Sequence, residues 1–143
     1  MCKKILAFLL AFSAIFTMNV PAFAMETEKL DVPKANSGYQ IMWTNTDMVA
    51  ISLNFSGNRA SCVAEVYAKS GTNKISATLL LKQVTSTGTK TVKSWTKSVS
   101  GEILYFDEAY YVASGNTYIL EVNASVYRNG TVEYITASDR DSC

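Results

Sequence analysis

Asn129-Gly130 sits between two runs in which apolar and polar residues alternate, V-A-S-G-N-T-Y-I-L-E-V-N-A-S-V-Y-R (112–128) and T-V-E-Y-I-T-A-S (131–138). Both residues accept the positive φ that a right-twisted hairpin turn requires, so the pair is the strongest short-range hairpin signal in the chain. Two registers are open. With a two-residue turn, Arg128 faces Thr131, Ala124 pairs with Ile135 and Val122 with Ala137 in the core, and Tyr134 lies outside, opposite Ser125. With a three-residue turn and Gly130 as a bulge, the return strand slips by one: Val132 and Tyr134 turn in while Glu133 and Ile135 turn out. The first leaves Glu133 near the core edge and the second exposes Ile135; the first is the reading adopted.

The same alternation recurs upstream. In M-V-A-I-S-L-N-F-S (48–56), Val49, Ile51, Leu53 and Phe55 share a face, and in A-S-C-V-A-E-V-Y-A-K (60–69) the core phase is Cys62, Ala64, Val66 and Ala68. In K-I-S-A-T-L-L-L-K-Q-V (74–84) it is Ile75, Ala77, Leu79 and Leu81. A period of two is what one buried face imposes on a strand. Gly57-Asn58, Gly71-Thr72-Asn73 and Thr85 to Gly88 supply the turns between these runs. Next comes T-K-T-V-K-S-W-T-K-S-V (89–99), a Thr- and Lys-rich strand whose Lys90, Lys93 and Lys97 read as a guarded sheet edge. E-I-L-Y-F-D-E-A-Y-Y-V (102–112) has the aromatic content of a strand but a muddled phase, for which a bulge near Asp107-Glu108 is the expected reason. No segment carries a helical period. Seven to eight short strands joined by Gly- and Asn-containing turns predict an all-β, antiparallel β-sandwich, with a barrel as the other architecture such a pattern permits.

The chain opens on Met1-Cys2-Lys3-Lys4, an apolar run from Ile5 to Phe16, and Ala22-Phe23-Ala24. A basic start, a short apolar stretch and an A-x-A site predict a secretory signal peptide over residues 1–24, cleaved after Ala24. The apolar run is too short to span a bilayer. Residues 25–40 have charge, Pro and Gly but no period and read as a flexible N-terminal arm. Residues 41–143 read as one β-domain, with Ile41-Met42-Trp43 as either a short first strand or a hydrophobic plug. Cleavage removes Lys3 and Lys4 from thirteen basic residues, leaving eleven against twelve acidic ones. Near-neutrality argues against nucleic acid and anionic membranes, both of which are bound through clustered cations. Cys2 leaves with the leader, so Cys62 and Cys143 remain as the only pair; export permits a bridge between them, and the other reading is a buried free Cys62 with a terminal thiol.

Val112-x-x-Gly115-x-x-Tyr118-x-Leu120-x-Val122-x-Ala124 resembles the lead-in to the penultimate strand of fibronectin type III and immunoglobulin-like domains. That resemblance implies a tyrosine corner, in which Tyr118 hydrogen-bonds back to the backbone of the preceding turn. No cysteine lies two residues after Tyr118, a departure from the antibody type. The leader, the size, S-C-V in an early strand, I-x-A-T-L-x-L-K in the next and the terminal cysteine are also similar to small secreted proteins of Gram-positive type whose function is not established.

The chain holds no histidine, which removes Ser-His and Cys-His nucleophile systems and most zinc sites. Asp107-Glu108 is the only adjacent acidic pair, and neighbours on a strand point to opposite faces unless a bulge re-aims one. Asp139-Arg140-Asp141 has the opening spacing of a calcium loop without its glycine or distal glutamate. Neither a cofactor fingerprint nor a phosphate-cradling loop is present, so no cofactor, metal or catalytic residue is assigned.

All eight tyrosines fall after residue 24. If Tyr67, Tyr127 and Tyr134 share one outer face they form an aromatic platform for a cell-wall glycan or a surface protein. These features point to a secreted, non-catalytic binding module at or outside the bacterial cell surface; a bacteriocin-like antagonistic factor is the alternative. N-terminal sequencing of the protein recovered from culture medium is expected to begin at Met25, and an intact Met1 in that fraction overturns the leader reading.

Overall fold

The computed structural model describes residues 43–143, so the leader, the arm and the uncertain Ile41-Met42 lie outside the described residues. Seven strands follow one another: β1 (Thr46–Ser56), β2 (Arg59–Ala68), β3 (Thr72–Thr85), β4 (Gly88–Val99), β5 (Ile103–Tyr111), β6 (Thr117–Arg128) and β7 (Thr131–Ser142). They form a three-stranded sheet in the order β1-β2-β5 and a four-stranded sheet in the order β4-β3-β6-β7, every pairing antiparallel. The described residues therefore form an all-β sandwich. In constant-type immunoglobulin domains the fourth strand joins the sheet of the first, second and fifth strands. Here β4 pairs with β3 instead, which leaves β1 and β5 as the edges of the small sheet.

The alternation seen in the sequence is the alternation of burial. Cys62, Ala64 and Val66 on β2, Ile75, Leu79 and Leu81 on β3, and Leu120, Val122 and Val126 on β6 are all completely buried. The inward residues of β2 are small (Ala60, Cys62, Ala64, Val66, Ala68), and bulkier Ile and Leu side chains come from the facing sheet. Small against large is how two pleated faces interdigitate without voids.

The β6–β7 hairpin has the two-residue register. Arg128 pairs with Thr131, Ala124 with Ile135 and Val122 with Ala137. Asn129 and Gly130 both adopt positive φ (50° and 74°), the left-handed pair that brings two right-twisted strands together. Ile135 is consequently in the core and Tyr134 in solvent. The bulge expected at Asp107-Glu108 is absent: β5 pairs with β2 in unbroken register from Ile103 to Tyr111. Its phase looked muddled because Ile103, Tyr105 and Tyr111, large apolar residues, occupy the solvent side of an edge strand while Leu104 and Phe106 fill the core. The bulges lie elsewhere, between Thr46 and Met48, Thr72 and Lys74, and Leu81 and Lys82.

Two side chains fix the corners. Tyr118 is buried beside Phe55, ring centroids 5.6 Å apart, and its hydroxyl donates to the Ala113 carbonyl at 2.8 Å. At the start of β1 the Glu133 carboxylate of β7 accepts from the Thr44 and Asn45 backbone N–H groups and from the Thr46 hydroxyl (2.9 Å). Trp43 is not in a strand; it packs against the core, and its carbonyl accepts from Lys69 Nζ at 2.9 Å. Replacing Glu133 by Ala is expected to lower unfolding free energy by about 1.5–3 kcal/mol, the worth of hydrogen bonds to a charged acceptor, read as a shifted urea midpoint at constant slope.

Candidate binding face

Side chains that alternate with the core face outward, and on the four-stranded sheet they are mostly hydroxyls. The ladder aligns them in rows across the strands. Ser98, Ser76, Ser125 and Tyr134 form one row, and Thr96, Thr78, Asn123 and Thr136 the next. A third row, Ser94, Leu80, Glu121 and Ser138, completes the field. A hydrogen-bonded chain crosses it: the Thr136 hydroxyl donates to Asn123 Oδ1 (2.7 Å), Asn123 Nδ2 donates to Glu121 Oε1 (2.8 Å), and Lys82 Nζ pairs with Glu121 Oε2 (2.8 Å). The Lys82 hydrogen bond holds the Glu121 carboxyl below its ordinary range, with a smaller contribution from Asn123. The Asn123 amide is thereby locked in one orientation, and the Thr78 and Thr96 hydroxyls, 3.3 Å apart, pair on the neighbouring strands.

Tyr134 is 77% exposed at the end of its row. Ser76, Thr78, Asn123, Ser125, Tyr134 and Thr136 line a shallow depression of about 350 Å³ beside it. Tyr127, opposite Val132, is the diagonal neighbour of Tyr134 across the β6–β7 pair, within reach of an aromatic side chain. Lys74 Nζ lies 5.6 Å above the Tyr127 ring and fixes its edge of the surface.

Tyr67 does not belong to this surface. It projects from β2 on the outer side of the three-stranded sheet, beside Met48 and Ile103 in its own row. The expected three-tyrosine platform is therefore divided between the two outsides of the sandwich. Tyr127 and Tyr134 remain together, and Tyr67 donates its hydroxyl to Glu65 Oε2 (3.1 Å), which raises its pKa. What sequence reasoning missed was the hydroxyl field around Tyr134. Its signal was present as Ser and Thr at alternate positions of 76–78, 94–98 and 136–138, but only the strand order shows that these positions are adjacent.

The other acidic and thiol groups are also placed. Asp107 faces solvent and Glu108 points toward the inter-sheet side, so the adjacent pair does not converge on one substrate. Asp139 accepts the Leu53 backbone N–H of β1 at 2.9 Å. Among the described residues, no group of three Cys, Asp or Glu side chains is placed to hold a metal ion.

Cys62 and Cys143 are both free thiols, which corrects the expected bridge. Cys62 points into the core from mid-β2, whereas Cys143 Sγ lies 3.3 Å from the Gly57 carbonyl, in the turn where β2 has yet to begin. Four residues of strand from Asn58 to Cys62 span roughly 13 Å, well beyond the Cα separation of ~7 Å at which a disulfide closes. Burial, and secondarily the Glu108 charge, pushes the Cys62 thiol up to about 11.

No protein family and no curated protein matches the chain. Among solved structures, the solution structure of R. palustris CsgH is 12% identical with a TM-score of 0.40, over 62% of this chain and 88% of that one. Parabacteroides merdae β-glucuronidase is 13% identical with a TM-score of 0.42, over 68% of this chain and only 13% of the enzyme. Bacillus subtilis Spo0M, a sporulation control protein, is 15% identical with a TM-score of 0.35, over 69% of this chain and 48% of that one. Likenesses of this size carry no argument about activity, and the sandwich stands on its own strand order.

A thiol reagent at pH 8 is expected to modify Cys143 in the folded protein and Cys62 only on unfolding. Because the folded pKa of Cys62 lies above its ordinary value of 9.0, the native state keeps a proton that the unfolded chain releases. Stability should therefore fall as pH rises from about 9 to about 11, and denaturant midpoints of Cys62→Ala should lack that component.

Proposed function

We propose that this protein is an exported, non-catalytic binding module that holds a neutral glycan of the cell wall on the outer face of its four-stranded sheet. The carrying observation is the shallow depression in which Tyr134, 77% exposed, stands beside Ser76, Thr78, Asn123, Ser125 and Thr136. A sugar ring has an apolar C–H face and an equatorial rim of hydroxyls, each of which both donates and accepts. A tyrosine ring supplies a flat apolar surface at small entropic cost. Hydroxyl and amide side chains supply matching donors and acceptors.

Pre-organisation supports the reading. Asn123 is held by Thr136 and Glu121, so little side-chain freedom is left to lose on binding. The depression is lined without any charged side chain, which favours a neutral ligand over an anionic one. Residues 1–24 read as a leader, which supports a module that works outside the cell.

The test is a glycan array and cell-wall pull-down with the full chain and three variants. Tyr134→Ser is expected to weaken binding about tenfold or more, the equivalent of ~1.4 kcal/mol, with an unchanged thermal midpoint, and Asn123→Ala to weaken it similarly while lowering the midpoint through the lost hydrogen bonds to Thr136 and Glu121. Tyr67→Ser, on the opposite side of the sandwich, should bind as the parent does. Equal binding by parent and Tyr134→Ser overturns the assignment.

A further inference from the structure

β1 and β7 are the outer strands of the two sheets on one side of the sandwich, and no backbone ladder joins them. A groove of about 480 Å³ starts at this seam, along Ile51, Leu53, Asp139 and Asp141, and continues over the outer face of β1 and β2 to Val63 and Glu65. Leu53 N–H points across this groove to Asp139. In an antiparallel strand the backbone groups of residues two apart point the same way, so the N–H and C=O groups of Val49 and Ile51 face the groove too. Among the described residues none pairs its backbone with that edge.

The other edges are protected. β4 carries Lys93 and Lys97 on its inward phase, over the rings of Tyr110 and Phe106. Lys97 Nζ takes up the Tyr105 carbonyl of β5 (2.7 Å), and β7 carries Glu133, Asp139, Arg140 and Asp141. From Met48 to Ser56, β1 has no charge and no proline, the ordinary devices against strand addition. Its inward residue Ile51 is only partly covered, although Val49 and Leu53 on either side are buried (7% and 2% exposed).

We propose that this groove receives an extended, cationic segment of another polypeptide, which adds as a strand to the β1 edge and covers Ile51 with an apolar side chain. Backbone hydrogen bonds to Val49 and Ile51 supply the pairing, as in other strand-addition complexes. The charge beside the β1 edge selects the occupant: Asp139 and Asp141 outnumber Arg140. A second copy of this chain would bring the same acidic rim against itself, whereas lysine or arginine side chains flanking the apolar residue meet it favourably. The proposal stands apart from the glycan reading, which concerns the outer face of the four-stranded sheet.

The probe is a blocked octapeptide of alternating valine and lysine, added to the full chain and followed by amide hydrogen exchange and NMR shifts. Exchange of the Val49 and Ile51 amides is expected to slow at least about tenfold on saturation, with no change at Ser125 or Tyr134. The valine–glutamate peptide and an N-methylated valine–lysine peptide should each bind at least about tenfold more weakly, the first through charge and the second through lost donors. The double variant Asp139→Asn, Asp141→Asn should lose most of the preference for lysine over glutamate. Absence of slowed exchange at Val49 and Ile51, equal binding of the two charge types, or a dimer that protects these amides without peptide each overturns the proposal.

Discussion

A β-sandwich has two sheets and therefore four outer strand edges, which meet in pairs at two seams. Backbone ladders cannot close a seam, because the edge strands belong to different sheets, so side chains have to do it. Here the two seams are closed by opposite chemistry. Between β4 and β5, lysine ammonium groups lie over aromatic rings: Lys93 over Trp95 and Tyr110, Lys97 over Phe106, with Trp95 and Tyr110 edge to face at 6.4 Å. Between β1 and β7, carboxylates collect backbone donors, Glu133 at the start of β1 and Asp139 at Leu53. The rest of the structure depends on this difference.

The lysine seam leaves little edge to pair with, since its charges point inward and would have to be buried under any added strand. The carboxylate seam is pinned at the start of β1 by Glu133 and at Leu53 by Asp139, and the groove that begins there has Asp139 and Asp141 on its β7 side. The two broad faces divide in the same way. The outside of the four-stranded sheet is a field of hydroxyls and one locked amide with two tyrosines at its margin, while the outside of the three-stranded sheet carries exposed Met48, Ile103 and Tyr105. A rigid scaffold thus presents surfaces of distinct chemistry, and function on such a scaffold belongs to the surface and not to the fold.

The Asn129-Gly130 hairpin shows how much a short signal carries and where it stops. Turn chemistry alone allowed two registers, and the second would have put Tyr134 in the core. Burial of Ile135 in the core tips the balance, since the slipped register would leave that side chain in water while forcing the polar Tyr134 inward. Cys62 and Cys143 mark the opposite case. Their pairing was a matter of counting, and counting carries no geometry: one thiol ends up inside the core and the other at the far end of the sandwich.

Composition and period two were enough to determine that this chain is all-β, which residues of β2, β3 and β6 form the core, and that β4 is an edge. Those features are local, because a strand with one wet face must alternate wherever it lies in the fold. Strand order is not local. Only the tertiary structure decided that Tyr67 lies across the sandwich from Tyr127 and Tyr134, that Ser76, Asn123 and Thr136 from three strands share one field, and that a groove starts at the seam of β1 and β7. Each depends on which sheet a strand joins, and that choice is made by contacts between residues far apart in sequence.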